Sequence, residues 1–198
     1  MKADVAKVLI DRHAIAQRVK ELAVQIAADV TGQPRQGDDA EVTLVPILTG
    51  SIIFVSDLIR HLPLRMQIRM ISVSSYPGTA TSSRGTSIQA ALSNVPERLD
   101  GRHVLILDDI LDSGRTLRSV TDLLAARNPA SVKSCVLLRK RRPEAMDFPL
   151  DYHAFEIPDE FVVGYGLDFN GYYRNLPDIC TLHPHVIEAA QRTEGEGA

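Results

Sequence analysis

Residues 104–117 read VLILDDILDSGRTL and place a small, acidic loop directly after an apolar strand. Four apolar residues precede the pair Asp108 and Asp109, and a helical pattern follows the loop. Backbone amides at a helix N-terminus favour a phosphate, and Gly114 lets the backbone approach a ligand closely or adopt a positive φ. Adjacent carboxylates suit sugar hydroxyls or a magnesium ion. The stretch therefore predicts an anion cradle beside two carboxylates.

A purely structural interpretation of this loop is that Asp112 and Ser113 cap the following helix. That interpretation explains Ser113 well, but it leaves two further aspartates at the end of a buried strand unexplained. The loop is not a P-loop, because it lacks the lysine and the spacing of G-x-x-x-x-G-K-[ST].

Apolar strands alternate with helical patterns on both sides of this loop, which predicts a parallel, doubly wound sheet. Beyond Pro149 the pattern changes to aromatic-rich runs at 152–157 and 161–165, which favour a cover over one end of the sheet. Ligands bind at the carboxyl ends of such strands, where the polar clusters of this sequence fall. The predicted elements are helices at 12–29 (with Asp11 as N-cap), 51–61 and 116–126, strands at 42–48, 103–107 and 132–138, an apolar stretch at 66–75 and a short strand candidate at 88–92.

Composition describes an ordinary globular protein of 198 residues, with 44% hydrophobic and 24% charged residues. The formal charge of −3 argues against broad attraction to nucleic acids or membranes. Cys135 and Cys180 lack the spacing of a metal site, and a buried free thiol at Cys135 fits a reducing cytosol. The N-terminus has no signal-peptide pattern, and we expect a cytoplasmic protein that does not bind membranes or nucleic acid.

The run VLILDDILDSGRT resembles the ribose-phosphate signature of the type I phosphoribosyltransferases. The resemblance implies that Asp108 and Asp109 hold the ribose hydroxyls of phosphoribosyl pyrophosphate, with a magnesium ion nearby. Asp-Asp departs from the Glu-Asp pair that several relatives have, and both pairs can accept hydrogen bonds from hydroxyls. It also implies a loop around the 5′-phosphate, formed by Asp112, Ser113, Gly114, Arg115 and Thr116.

Asp112 resembles the aspartate that faces N7 of the base in 6-oxopurine enzymes, where it is the proposed general acid/base. A carboxylate suits the handling of a proton on the imidazole ring. Lys140 resembles the lysine that donates to the 6-oxo oxygen of the purine. Arg139, Arg141 and Arg142 are close enough in sequence to allow a shift of one position, and a solvated basic turn is the structural alternative.

Residues 156–179, EIPDEFVVGYGLDFNGYYRNLPDI, resemble the C-terminal block of the hypoxanthine-guanine phosphoribosyltransferases. The resemblance implies that Phe161 stacks on the purine and that the backbone of Val162 contacts its edge. It also implies that Asp168 binds magnesium beside the purine and that Arg174 contacts pyrophosphate. Taken singly, Phe161 would more often be a core residue.

Two further turns match the same family. Thr49 and Gly50 follow the strand at 42–48 and resemble its pyrophosphate-binding turn, whose peptide is sometimes cis. Ser75 and Tyr76 lie at the start of a loop rich in small and hydroxyl residues. They resemble the Ser-Tyr of a closing lid that would exclude water from the reaction.

The resemblance as a whole implies a type I phosphoribosyltransferase fold: a central, mainly parallel twisted sheet flanked by helices, with a small hood. We expect one domain over 1–198, with its core at about 38–150 and the hood at about 151–182 plus the N-terminal helix. The implied activity is magnesium-dependent transfer of phosphoribose to hypoxanthine and guanine, in a homodimer or homotetramer. Two alternatives stay open, a xanthine-guanine enzyme and an RNA-binding regulator with this fold.

Overall fold

The structure of the protein is a computed structural model that describes residues 1–32, 42–73 and 92–195. Eight strands and five helices lie in these ranges. The strands are β1 (Val5–Ile10), β2 (Val42–Leu48), β3 (Met66–Ile68), β4 (Ile71–Ser72), β5 (His103–Leu111), β6 (Ser131–Lys140), β7 (Tyr152–Ile157) and β8 (Ile179–Leu182). The helices are α1 (Arg12–Thr31), α2 (Ile52–Ile59), α3 (Arg115–Ala125), α4 (Pro143–Met146) and α5 (Pro184–Gly195). Within these ranges, no helix is both long and apolar enough to cross a membrane.

The main sheet is parallel throughout and has the strand order β3-β2-β5-β6-β7, with β4 also pairing with β2. Strand β5 lies at its centre, and its side chains alternate between two apolar clusters. Leu105 and Leu107 enter the cluster that contains α1 and α2, whereas Val104 and Ile106 enter the cluster that contains α3. A strand buried on both faces is the reason that VLIL is continuously apolar. The predicted doubly wound α/β fold is confirmed.

Helix α1 forms as its sequence predicts. The Asp11 carboxylate accepts hydrogen bonds from the amides of His13 (2.8 Å) and Ala14 (3.0 Å), which confirms it as the N-cap. The apolar positions spaced at helical intervals are all buried against the sheet: Ile15, Val19, Leu22 and Ile26.

A small second sheet pairs the two ends of the chain. Strand β1 runs antiparallel to β8, and Arg12 ties the junction by binding Asp178 through its backbone amide and its guanidinium. The sequence analysis missed β1, because a half-exposed strand with Lys7 at its centre does not give a continuous apolar run. This two-stranded sheet carries the C-terminal block that follows β7.

The structure corrects several predicted boundaries. Residues 152–157 do not cover the sheet: β7 pairs in parallel with β6 and forms an edge of the sheet, so that prediction is wrong. The run 161–165 forms isolated bridges rather than a strand, such as the one between Val163 and Cys180. The stretch 66–75 is broken into β3 and β4, and its last two residues lie outside the described ranges, as does most of the candidate strand 88–92; Leu92 itself begins a 3-10 turn.

Strand β5 is longer than predicted. It continues past Leu107 to Leu111, with Asp108 opposite Val136 and Leu111 opposite Arg139 on β6. The two aspartates are therefore held by the sheet itself rather than by a loop. This rigid placement matters for the site, because side chains on strands are positioned more precisely than side chains on loops.

Candidate active site

The carboxyl ends of β2, β5 and β6 meet at one edge of the sheet. They bring together three groups that are far apart in sequence: the turn at Thr49 and Gly50, the aspartates of β5, and Lys140 at the end of β6. Parallel neighbouring strands end on the same side, which is where doubly wound sheets bind ligands.

Asp108 and Asp109 form a partly buried pair of carboxylates. Each one accepts a hydrogen bond from the next backbone amide, at 3.0 Å from Asp109 N and 2.8 Å from Ile110 N. Burial and the charge of Asp109 raise the pKa of Asp108 well above its ordinary value. Burial likewise raises the pKa of Asp109, against the opposing effects of hydrogen bonds with Asp108 and the Ile110 amide and, less strongly, of the positive charge of Arg174. Ionising both carboxylates is costly without a binding partner. Hydrogen-bond donors or a cation from a ligand would therefore stabilise the ionised pair.

Thr49 and Gly50 form the turn after β2, and the Leu48–Thr49 peptide is cis. The carboxylate of Asp109 lies directly against Gly50, where a Cβ atom would be 1.5 Å from Asp109 Oδ2. On its other side the Gly50 carbonyl is covered by Gly166, where a Cβ atom would lie 2.1 Å from that oxygen. The turn is thus clamped between β5 and the C-terminal block.

The loop from Asp112 to Thr116 leads into α3. Gly114 is the N-cap and adopts φ 72°, a left-handed conformation that favours glycine. No side chain caps this helix, so the predicted alternative in which Asp112 and Ser113 serve only as caps is wrong. Ser113 and Arg115 are exposed and Thr116 is half-buried. The first backbone amides of α3 therefore have no side-chain acceptor among the described residues. Free amides at a helix N-terminus are what an anion site requires.

Asp112 and Lys140 meet beside this loop. Lys140 Nζ lies 3.3 Å from Asp112 Oδ2 and 3.1 Å from Asp159 Oδ1, and its side chain is only 12% exposed. Two of the three neighbouring arginines, Arg139 and Arg141, are directed elsewhere. Arg139 donates to the carbonyls of Ala145 (3.0 Å) and Met146 (2.5 Å), and Arg141 pairs with Glu156 at 3.7 Å. Of the four basic residues at 139–142, Lys140 and Arg142 are the two that pair with Asp112.

Two further charged residues join the site: Arg142, which the sequence analysis gave only as an alternative to Lys140, and Asp159, which it missed. Arg142 Nη1 makes a short hydrogen bond to Asp112 Oδ1, and Asp159 accepts from Lys140. Asp159 follows β7, and only the parallel pairing of β7 with β6 brings it to Lys140. The sequence held no spacing signal for this contact, although the run I-P-D marks a turn after a strand.

The C-terminal block places an exposed aromatic ring near the site. Phe161 is 48% exposed and packs edge-on against Phe169, with ring centroids 5.5 Å apart, while Val162 is buried. An exposed phenylalanine held by a second ring is suited to stacking on a planar ligand. Tyr165 connects the C-terminal block to α2, because its hydroxyl donates a hydrogen bond to Asp57 Oδ2 at 2.7 Å.

Arg174 and Asp168 form an ion pair in the same block. Arg174 Nη2 lies 2.8 Å from Asp168 Oδ1, and the Gly171 amide donates to Asp168 Oδ2 at 2.7 Å. Arg174 also donates to the Gly166 carbonyl at 2.7 Å, which connects it to the turn at Gly50.

The donor chemistry at this edge fits magnesium. Asp108, Asp109 and Asp168 supply hard carboxylate oxygens, the ligand type that Mg²⁺ prefers. Within 1–32, 42–73 and 92–195, no group of three acidic, histidine or cysteine side chains is placed so that it could hold a metal ion by itself. Mg²⁺ commonly uses only one or two carboxylates and takes its remaining ligands from water and substrate phosphates. Ser75 and Tyr76, the predicted lid residues, lie outside the described ranges.

Comparison with known proteins identifies the family of this chain. The family model described as "Phosphoribosyl transferase domain" matches residues 6–170. A hypoxanthine-guanine phosphoribosyltransferase of Streptococcus pneumoniae is 38% identical over 186 residues, which span 94% of this chain and 98% of that protein. The corresponding protein of Mycobacterium tuberculosis is 39% identical over 191 residues, which span 93% of this chain and 90% of its own.

The fold also matches solved structures. A point mutant of the hypoxanthine phosphoribosyltransferase of Trypanosoma cruzi, complexed with the product IMP, superposes with a TM-score of 0.82 at 37% identity. That match covers 94% of this chain and 95% of the other. The family model, the sequence matches and the shared fold lead to one assignment: the chain belongs to the type I phosphoribosyltransferases, in the family of the hypoxanthine-guanine phosphoribosyltransferases.

Proposed function

We propose that this chain is a purine salvage enzyme that transfers the 5-phosphoribosyl group from phosphoribosyl pyrophosphate to N9 of hypoxanthine and guanine, releasing pyrophosphate. The observation that carries the proposal is the contact between Asp112 and Lys140, 3.3 Å apart, at the edge that also holds the phosphate loop and the carboxylate pair. A carboxylate and an ammonium group side by side match the N7 and 6-oxo edge of a 6-oxopurine.

The base is recognised at one end of this edge. Asp112 manages the proton at N7, Lys140 donates to the 6-oxo oxygen, and Phe161 stacks on the ring. The backbone at Val162 contacts the remaining edge of the purine, and Asp168 lies on the same side. The exposure of Phe161 and the burial of Lys140 support these roles, because the ring is free for a ligand while the ammonium group is held in place.

The ribose 5-phosphate is held at the centre. Asp108 and Asp109 accept hydrogen bonds from the ribose 2′- and 3′-hydroxyls. The amides and hydroxyls of Ser113, Gly114, Arg115 and Thr116 surround the 5′-phosphate at the start of α3. The uncapped N-terminus of α3 supports this role.

The leaving group lies at the other end of the edge. The transition state resembles an oxocarbenium ion, with negative charge growing on pyrophosphate. The amides of Thr49 and Gly50 and the guanidinium of Arg174 stabilise that charge. Magnesium would take its carboxylate ligands from Asp168 or from the pair Asp108 and Asp109, and it would neutralise part of the charge on pyrophosphate.

The proposal extends to the setting in which the enzyme works. We place it in the cytoplasm as a single domain that assembles into a homodimer or homotetramer. Both cysteines are buried free thiols, which is consistent with a reducing compartment.

One experiment tests the function directly. The protein is incubated with phosphoribosyl pyrophosphate and each of hypoxanthine, guanine, xanthine and adenine, with magnesium or with a chelator, and nucleotide formation is followed. We expect IMP and GMP, and loss of both products in the chelator. Preferential formation of xanthosine monophosphate would make it a xanthine-guanine enzyme. Salt-sensitive RNA binding without any nucleotide formation would make it a regulator.

A further inference from the structure

Four charged side chains form a continuous series of ion pairs at the proposed purine-binding end of the site: Asp112, Lys140, Arg142 and Asp159. Lys140 and Arg142 each lie between the same two carboxylates. Lys140 is 3.3 Å from Asp112 and 3.1 Å from Asp159. Arg142 makes a short hydrogen bond to Asp112 and is 3.9 Å from Asp159. The two cations and two carboxylates balance in charge.

Both oxygens of the Asp112 carboxylate are occupied in this arrangement. Lys140 binds Oδ2 and Arg142 binds Oδ1. A purine nitrogen that approaches Asp112 needs one of these oxygens, because a carboxylate interacts with the ring only through them. Each oxygen has a second lone pair, but both already bind a cation, so the ring has to compete with Lys140 and Arg142 for the charge of the carboxylate.

Arg142 is the cation that is free to move. Its side chain is 33% exposed, whereas that of Lys140 is 12% exposed. Arg142 also has other acceptors within reach, since its Nε lies 3.3 Å from Glu144 Oε2 and 3.9 Å from Asp159 Oδ2. Lys140 is the group that the proposed function needs at the 6-oxo oxygen, so its position is retained.

We propose that Arg142 sets the affinity of the enzyme for purine by competing with the base for Asp112. In the free enzyme Arg142 holds the Asp112 carboxylate; when the purine binds, the guanidinium keeps its pairing with Glu144 and Asp159 and releases Oδ1 to the ring. Arg142 is thus a positioning residue that acts through Asp112. This inference rests on the proposed function, because it assumes that Asp112 faces the base.

The test is Arg142→Gln, with Arg141→Gln as the matched control. Arg141 is the neighbouring residue and undergoes the same change of charge, but it pairs with Glu156 and not with Asp112. We expect Arg142→Gln to lower KM for hypoxanthine by about two- to fivefold, the range of a partly exposed ion pair, and to change kcat by less than it changes KM. Arg141→Gln should leave both constants unchanged. Arg142→Lys keeps the charge and should bring KM back toward the wild-type value.

Two further readouts separate competition from a general structural effect. IMP should bind Arg142→Gln more tightly than wild type in calorimetry, because the product carries the same base. At saturating phosphoribosyl pyrophosphate, added salt should reduce the difference in KM for hypoxanthine between wild type and Arg142→Gln. Salt weakens the Arg142–Asp112 ion pair that competes with the base, whereas hypoxanthine itself is neutral.

The outcomes are distinct. If wild type forms nucleotide and Arg142→Gln has an unchanged or raised KM for hypoxanthine, the competition is refuted while the proposed function stands. If wild type forms no nucleotide from any purine, the proposed function fails and the competition fails with it. Thermal unfolding of each variant checks that it folds. We expect the Arg142 variants to fold, because the Arg142 carbonyl accepts hydrogen bonds from the amides of Ala145 and Met146 whatever its side chain.

Discussion

The carboxylate of Asp109 occupies the space that a side chain at Gly50 would need: a Cβ atom there would lie 1.5 Å from Asp109 Oδ2. The carboxylate cannot easily turn away, because its other oxygen accepts a hydrogen bond from Ile110 N at 2.8 Å. The proposed pyrophosphate turn and the proposed ribose-binding pair are therefore in direct van der Waals contact. A side chain added at Gly50 would therefore displace the carboxylate of Asp109.

Gly50→Ala should push the Asp109 carboxylate out of position. We expect kcat/KM for phosphoribosyl pyrophosphate to fall by about 100-fold, since a displacement of about 1 Å at a reacting group has effects of that size. Steady-state kinetics measures the fall. Gly32→Ala, at the end of α1 and with a Cβ atom 3.3 Å from the Ala28 carbonyl, is the matched control and should retain activity. Normal kinetics in Gly50→Ala would show that the contact has no functional role.

Asp112→Asn should reduce turnover and spare phosphoribosyl pyrophosphate binding. A general acid/base contributes about 10²- to 10⁴-fold, so kcat should drop by at least about 10²-fold while KM for phosphoribosyl pyrophosphate changes little. The carboxamide is nearly isosteric, so the loop should keep its shape. Initial rates with each substrate varied in turn separate the two effects. Unchanged turnover would remove Asp112 from the chemistry.

Phe161→Ala should weaken purine binding with little effect on folding. The ring is 48% exposed, so little buried apolar area is lost. Stacking of an aromatic side chain on a base contributes about 1–3 kcal/mol, which predicts a rise of about 5- to 150-fold in KM for hypoxanthine. Tyr172→Ala, which removes an aromatic side chain that is 73% exposed, is the control for general loss of surface. An equal effect of both substitutions would argue against stacking.

Asp178→Asn should destabilise the protein in a pH-dependent way. The side-chain hydrogen bond from Arg12 lowers the pKa of Asp178 below its ordinary value of 3.8. A lowered pKa in the folded state means that the stabilisation is present above pH 3.8 and is lost as the pH falls through the folded-state value. We expect a melting temperature about 2 °C below wild type at pH 7, and a difference that narrows below about pH 4.

Thermal unfolding at pH 7, 5 and 3.5 measures this difference. Arg98→Gln is a suitable comparison, because it breaks the Arg98–Asp100 ion pair, which lies at a surface turn away from the junction of β1 and β8. If the difference in melting temperature between wild type and Asp178→Asn widened toward low pH, it would contradict the lowered pKa of Asp178 in the folded state.

The alternating apolar strands and helices of this sequence were sufficient to predict the fold class. The run at 104–107 is continuously apolar, and the run at 42–48 is apolar apart from Thr43, because β2 and β5 are buried on both faces. Burial on both faces requires helices on both sides of the sheet. Asp11 and the four apolar positions of α1 likewise follow from local rules of capping and periodicity. The run from Asp108 to Thr116 is short enough that its chemistry is readable from residue order alone.

Tertiary structure decided what residue order could not. Asp159 reaches Lys140 only because β7 joins the sheet beside β6, and Asp109 reaches Gly50 only because β2 and β5 are neighbours. Strand β1 was invisible in the sequence, since its partner β8 lies near the opposite end of the chain and its exposed face carries a lysine. Local patterns report which side chains are buried, whereas contacts between distant segments depend on strand order, and strand order is set by packing of the whole chain.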